Sequence, residues 1–304
     1  MTKVRGVLDK GISRRGLLGI GAAVVSGFAG GCGTDHGNSI AGTSTTAVAA
    51  TTSRATAAPA TAAPVTAAVP AQAPVSTPAT VAARHAGAQP RLWGVEMPGI
   101  TSSFAATGKQ IALTFDACGG HGNNDIDQSL VDFLVIQQIP ATLFLNKRWI
   151  DANPARVAQL SGNPLFELAN HGVAHKPLSV NGRAAYGIAG TTSAWEAADE
   201  VWVNHVRLTE LTGKPPRFFR TGTAHYDDVA VAIATELGET PVGYTVNADH
   251  GATAAASRVQ SSMKAAAPGS IVLAHLHRPG SGTGAGMMAA LPALRAAGFT
   301  FVQI

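Results

Sequence analysis

Five apolar runs in the second half of the chain each lead to a residue able to do polar chemistry, and helical patterns fill the intervals between them. Ile111–Phe115 leads to Asp116, and Leu165–Asn170 leads to His171, with His175 four residues on. Arg217–Phe219 leads to Arg220, Val242–Val246 to Asp249, and Ile271–Ala274 to His275. Strands that alternate with helices build a parallel sheet, because each crossover must return the chain to the same sheet end. Side chains at the C-terminal ends of such strands converge on one rim. The pattern therefore predicts an α/β fold, a distorted (β/α) barrel of about seven parallel strands forming a single catalytic domain. A barrel fits better than an open sheet because polar residues follow nearly every strand. A cleft lined by carboxylates, imidazoles and an arginine points to metal-assisted hydrolysis.

Local signals place the elements. Strands are expected at Gln110–Phe115, Ala141–Leu145, Leu165–Ala169, Arg217–Phe219, Val242–Val246, Ser270–Ala274 and Phe299–Val302. Asp127 is suited to cap a helix over Gln128–Gln138, and Asn153-Pro154 to start the next. Ser193–Thr212 reads as a long helix stopped by Gly213, with Pro215 and Pro216 beyond. Further helices are expected at Asp227–Leu237, Ser257–Ala266 and Gly286–Ala297.

The first part of the chain has a different character. Residues 1–32 read as an export signal peptide, with Lys3, Arg5, Lys10, Arg14 and Arg15 ahead of an apolar run from Leu17 to Ala29. That run is shorter than the roughly 20 apolar residues a spanning helix needs. Ser13-Arg14-Arg15-Gly16-Leu17-Leu18 resembles the twin-arginine export motif. Ala29-Gly30-Gly31-Cys32 resembles a lipobox, which predicts a lipid anchor on Cys32; ordinary cleavage and release is the alternative. Residues 33–88, rich in Ala, Thr and Pro and nearly uncharged, read as a disordered tether, since they offer too little apolar surface to offset ordering entropy. Residues 89–304 are left as the catalytic domain. The product is expected outside the cytoplasm, as a membrane-anchored lipoprotein or a periplasmic or secreted protein.

The formal charge of +4 comes from 22 Lys and Arg against 18 Asp and Glu. Five of those bases and one of those acids lie in residues 1–32, so the remainder carries 17 of each and no net charge. Nothing in that balance favours nucleic acid or an anionic surface as a partner. No signal in the sequence sets an oligomeric state.

His171-Gly-Val-Ala-His175 places two imidazoles at i and i+4, which in a helix share a face and can hold one metal ion. Cys118, two residues past Asp116, is readable as a small buried residue or as a nucleophile. In the order and spacing of five short motifs, the chain from about Lys109 to Ile304 resembles the NodB-type polysaccharide deacetylases, carbohydrate esterase family four. The carriers are Thr114-Phe115-Asp116, His171 to His175, Phe219-Arg220, Val246 to Asp249, and Leu273-Ala274-His275. The resemblance implies a divalent metal, foremost Zn²⁺, held by His171 and His175 with a carboxylate. It implies Asp116 as general base oriented by Arg220, and His275 as general acid tuned by Asp249. The implied substrate is an N-acetylated glycan, peptidoglycan- or chitin-like, which loses acetate. Thr221 to Thr223 are candidates for a backbone oxyanion donor.

The chain departs from the family pattern at Ala117, where a second aspartate normally binds the metal. Asp127 is the preferred replacement ligand, with Asp125 and His121 as other candidates, and Asp127 has a competing reading as a helix cap. His205, His225, His250 and His277 read as bystanders. Trp93, Trp149, Trp195 and Trp202 are candidates for stacking on sugars, although Trp195 and Trp202 also fit a core position. Two other functions stay open: a degenerate member that binds glycan without hydrolysing it, and an amidohydrolase for a small non-sugar amide.

Overall fold

A computed structural model of the chain describes residues 76–304. The export signal, Cys32 and most of the expected tether lie outside the described residues. In chain order the elements are α1 (Pro78–Arg84), β1 (Trp93–Gly94), β2 (Gln110–Ala117), α2 (Gln128–Ile136), β3 (Ala141–Leu145), α3 (Lys147–Ala152), α4 (Pro154–Ser161), β4 (Phe166–Asn170) and α5 (Ala194–Thr212). They continue with β5 (Phe218–Phe219), β6 (Tyr226–Asp227), α6 (Asp228–Glu236), β7 (Thr240–Pro241), β8 (Val246–Asn247), α7 (Ala256–Met263), β9 (Ile271–His275), α8 (Gly282–Ala296) and β10 (Thr300–Val302). No described helix is long and apolar enough to cross a membrane.

Seven parallel strands curl into a half-barrel in the order β7-β5-β4-β3-β2-β9-β8, and β10 pairs with the start of β2. The distorted (β/α) barrel with a single catalytic domain is what the structure shows. Strand alternation sorts the two faces. On β2, Ile111, Leu113, Phe115 and Ala117 join the large core between sheet and helices. Ala112 faces the smaller interior cluster with Phe144, Ala169, Val242 and Ile271, and Thr114 and Asp116 share its parity. The polar groups of the site thus sit at the top of the barrel interior.

Two expectations are corrected here. The run Val242–Val246 is not a strand: Val242, just past β7, makes an isolated bridge to Thr101, Val246 begins β8, and the residues between leave the ladder. There the carbonyls of Val242 and Gly243 accept from Arg220 instead, at 3.4 and 2.9 Å. The tether does not run to residue 88, because α1 lies inside that range. Thr77 Oγ1 caps α1 by accepting from the Thr80 amide, and Pro78 opens its first turn. Val81 and Ala82 are fully buried, and Arg84 pairs with Glu236 at 2.6 Å.

The element that matters most for the site is α5. Ser193 Oγ accepts from the Glu196 amide while Glu196 Oε2 accepts from the Thr192 amide, so the entry is closed at both ends of the turn. Gly213, at φ +71°, stops the helix as expected. One face buries Ala194, Ala197, Ala198, Val201 and Leu208, and the same face carries Glu200 and Asn204 into the protein.

Candidate metal centre and catalytic cleft

His171 follows directly from β4, and its imidazole is buried. Its Nδ1 lies 2.7 Å from the Arg220 carbonyl, which fixes the ring and leaves Nε2 facing the cleft. His175 reaches the same place by a different route from the one expected. The segment His171–His175 is a loop, not a helical turn, and His175 is left-handed at φ +60°. Glu200 holds that loop, accepting from the amides of Val173 and Ala174 at 3.1 and 3.0 Å. Asn170 Oδ1 accepts from the Gly172 amide, and Asn146 donates to the His171 carbonyl. The two rings meet edge to face with centroids 5.0 Å apart. Gly222 makes the packing possible, because a Cβ there would lie 2.4 Å from the His175 carbonyl carbon.

Cys118 completes a cluster. Its Sγ is 3.8 Å from His171 Nε2, and the donor atoms of Cys118, His171 and His175 all lie within 4.8 Å of one another. His175 Nε2 is buried and makes no hydrogen bond. A buried imidazole nitrogen without a partner is costly, and two nitrogens and a sulfur around one point suit a divalent, thiophilic ion. The residues present therefore fit a metal. Burial lowers the His175 pKa and so favours the neutral ring a ligand must be. For His171 burial acts the same way, but the charge of Asp116, together with Cys118 and the Arg220 carbonyl, outweighs it and raises the pKa. Burial pushes the Cys118 thiol up, yet His175 and the other imidazoles around it bring it well below its ordinary value.

Asp127, expected as the third ligand, is corrected. Its Oδ1 accepts from the Leu130 amide at 3.1 Å and caps α2, and its other oxygen packs against Gly284 of α8. Asp125 is exposed, and neither it nor His121 joins the cluster.

Asp116 stands beside the donors, with Oδ2 3.6 Å from His171 Nε2. Its Oδ1 accepts from Arg220 Nη1 at 2.8 Å, and both side chains are buried. Arg220 also donates to Thr114 Oγ1 at 2.9 Å, and its guanidinium lies 4.2 Å over the Phe144 ring. The cation is thereby anchored at several points, and it holds the carboxylate in one orientation.

Across the cleft, His275 Nδ1 is 2.9 Å from Asp249 Oδ1. Asp249 Oδ2 accepts from the His275 amide and from Thr283 Oγ1, at 2.8 and 2.7 Å. Burial alone would lower the His275 pKa, but Asp249 lifts it well above an ordinary imidazole. Nδ1 is thus committed to Asp249, and the ring lines the cleft. Asp116, Cys118, His175 and His275 line one cavity of about 450 Å³. All five strand-end groups named from the sequence converge on this region.

Several contributors escaped the sequence reading. Glu200 and Thr283 carry no motif and act through partners distant in sequence, and Thr114, inside the first motif, acts by accepting from Arg220. His277, read as a bystander, is buried and lines the cavity beside His275, with ring centroids 5.6 Å apart. None of the four tryptophans lines it; its aromatic members are Tyr186 and Tyr244, and Trp195 is half exposed, not core. Of the proposed oxyanion donors, the Thr221 amide is taken by the Tyr226 hydroxyl, while Gly222 and Thr223 face the cavity.

Residues 105–242 match the family model for polysaccharide deacetylase; Asp249 and His275 lie beyond that match. Among solved structures, the chain is similar to a peptidoglycan N-acetylglucosamine deacetylase, at 21% identity and TM-score 0.56 over 67% of this chain and 89% of that one. It is similar to PdaA of Bacillus subtilis, a family 4 carbohydrate esterase, at 20% identity and TM-score 0.54 over 67% and 82% of the two chains. It also resembles a family 4 pseudoenzyme from Bacillus anthracis, at 21% identity and TM-score 0.56 over 67% and 66%. No curated protein matches the chain.

Proposed function

We propose that the chain is a metal-dependent hydrolase of the polysaccharide deacetylase family that removes N-acetyl groups from an extracytoplasmic or environmental glycan, peptidoglycan- or chitin-like. One observation carries this reading: a buried, arginine-held carboxylate and a carboxylate-held imidazole flank a convergent metal-donor set around a single cavity. The family match over residues 105–242 supports it. The ion would rest on His171, His175 and the third donor of their cluster, and it supplies a Lewis acid that polarises an amide carbonyl and acidifies water.

The chain's own groups do the rest. Asp116 accepts a proton from the attacking water, and Arg220 aims the carboxylate. As the carbonyl carbon becomes tetrahedral, a backbone amide of Gly222 or Thr223, which line the cavity, is the donor assigned to its oxygen in this reading. His275 donates from Nε2 to the leaving nitrogen, and Asp249 holds the ring by Nδ1. Water adds, the C–N bond breaks, and acetate and a free amine leave. An export signal and a lipidated Cys32 would place this reaction outside the cytoplasm.

The test is acetate release, followed by NMR, from N-acetylglucosamine oligomers, peptidoglycan fragments and a panel of small amides. The zinc-loaded protein releases acetate from a glycan. Asp116→Asn abolishes release and keeps the metal, whereas His171→Ala loses the metal. Turnover of small amides alone would reassign the chain as an amidohydrolase. Glycan binding without any acetate would make it a degenerate binder, as a pseudoenzyme of this fold exists.

A further inference from the structure

The structure assigns the third metal ligand to the thiolate of Cys118, so that the centre is a His–His–Cys site selective for thiophilic ions such as Zn²⁺ or Co²⁺ over Mg²⁺ or Mn²⁺. The inference rests on the metal-dependent reading above and specifies its donor set.

Strand parity makes the argument first. Successive side chains on a strand face opposite sides. Asp116 looks into the cleft, so Ala117 looks into the core between sheet and helices, where it is fully buried. Ala117 brings no donor atom of its own. Cys118 returns to the side of Asp116 and lines the same cavity. A second observation is independent of the cysteine: His175 Nε2 is buried, has no partner, and belongs to the same group of convergent donors. Among the described residues, no other group of three such side chains comes together. Geometry agrees in scale. Tetrahedral donors at bond lengths of about 2.0–2.3 Å stand roughly 3.3–3.6 Å apart, and Cys118 Sγ and His171 Nε2 are 3.8 Å apart.

Chemistry sets the selectivity. Carboxylate and imidazole ligands tolerate Mg²⁺ and Mn²⁺, whereas a thiolate favours softer ions. Binding commits a sulfur lone pair to the ion, and any proton the thiol holds leaves to solvent. Cys118 is then unavailable as a nucleophile while metal is present.

The experiment uses the full chain loaded with Co²⁺ or Zn²⁺. Wild type should show a thiolate-to-cobalt charge-transfer absorption that Cys118→Ser and Cys118→Asp lack. Cys118→Ser should lose more than roughly 100-fold in Zn²⁺ affinity, beyond the loss typical of outer-shell changes. Cys118→Asp should still bind Co²⁺ but shift its preference toward Mn²⁺. Peptide mapping after iodoacetamide treatment should show Cys118 protected by stoichiometric Zn²⁺ in the wild-type protein, a readout that needs no variant to fold. Metal bound with no charge-transfer band and unchanged alkylation would overturn the assignment and leave metal dependence standing. No metal bound at all would remove both.

Discussion

Arg220→Met tests how the catalytic carboxylate is held. The guanidinium is fully buried and donates to Asp116, Thr114, Val242 and Gly243. Methionine fills similar volume but leaves Asp116 as a buried carboxylate without its partner. Breaking a buried pair from one side costs about 3–5 kcal/mol, against about 0–1 kcal/mol for an exposed pair. The orphaned carbonyls of Val242 and Gly243 keep the expected cost toward the upper end. For a domain of this size that lowers Tm by roughly 6–20 °C. Urea denaturation measures it, with the slope unchanged so that only the midpoint moves. The double variant Asp116→Asn/Arg220→Met should recover much of the loss, because the unpaired charge is gone. A single variant costing under about 1 kcal/mol, or a double variant as unstable as the sum of the singles, would refute the claim that the pair is desolvated.

Further outcomes follow from the same geometry. Gly222→Ala should cost about 1–3 kcal/mol and weaken metal binding, since the new methyl meets the His175 backbone at 2.4 Å; an unchanged Zn²⁺ titration would contradict that. Asp249→Asn should lower kcat by about 10²–10⁴, the span of general acid–base catalysis, with KM little changed; a KM effect alone would place Asp249 in substrate binding instead. Glu239 is fully buried, and burial raises its pKa to about 7 despite hydrogen bonds from His205 and Asn170. The folded state therefore holds this proton more tightly than the unfolded chain. Stability contributed by the group is complete below the ordinary value of 4.5 and is lost as pH rises through about 7. Glu239→Gln should flatten that decline, by up to about 3 kcal/mol, and parallel stability curves for the two proteins between pH 4 and 8 would count against it.

Much of this was legible in the sequence because the signals were local. Ser193, Glu196 and Gly213 mark both ends of α5, and Asp116, His171, Arg220 and His275 each follow an apolar run that becomes a strand or its edge. The failures share a cause: contacts between distant parts of the chain decided the local conformation. The spacing of His171 and His175 suggested a helical turn, but Glu200 captures the intervening amides and builds a loop. The run Val242–Val246 looked like a strand, yet its carbonyls serve Arg220. Asp127 had two readings, and the local one, a helix cap, prevailed. Cys118 carried a readable signal in its parity with Asp116, which competed with the expectation of a carboxylate. The helix at Pro78–Arg84 packs Val81 and Ala82 into a core shared with α5 and α6 and pairs Arg84 with Glu236, 152 residues away, contacts that composition does not reveal.

The account's central claim is that a metal held beside Asp116 makes this chain a hydrolase. Titrating Zn²⁺ into metal-free protein while recording acetate release from an N-acetylated glycan tests it most directly. The rate should rise in proportion to added Zn²⁺ and level off at one ion per chain. A protein that takes up one ion per chain and still releases no acetate from any glycan or amide would contradict it.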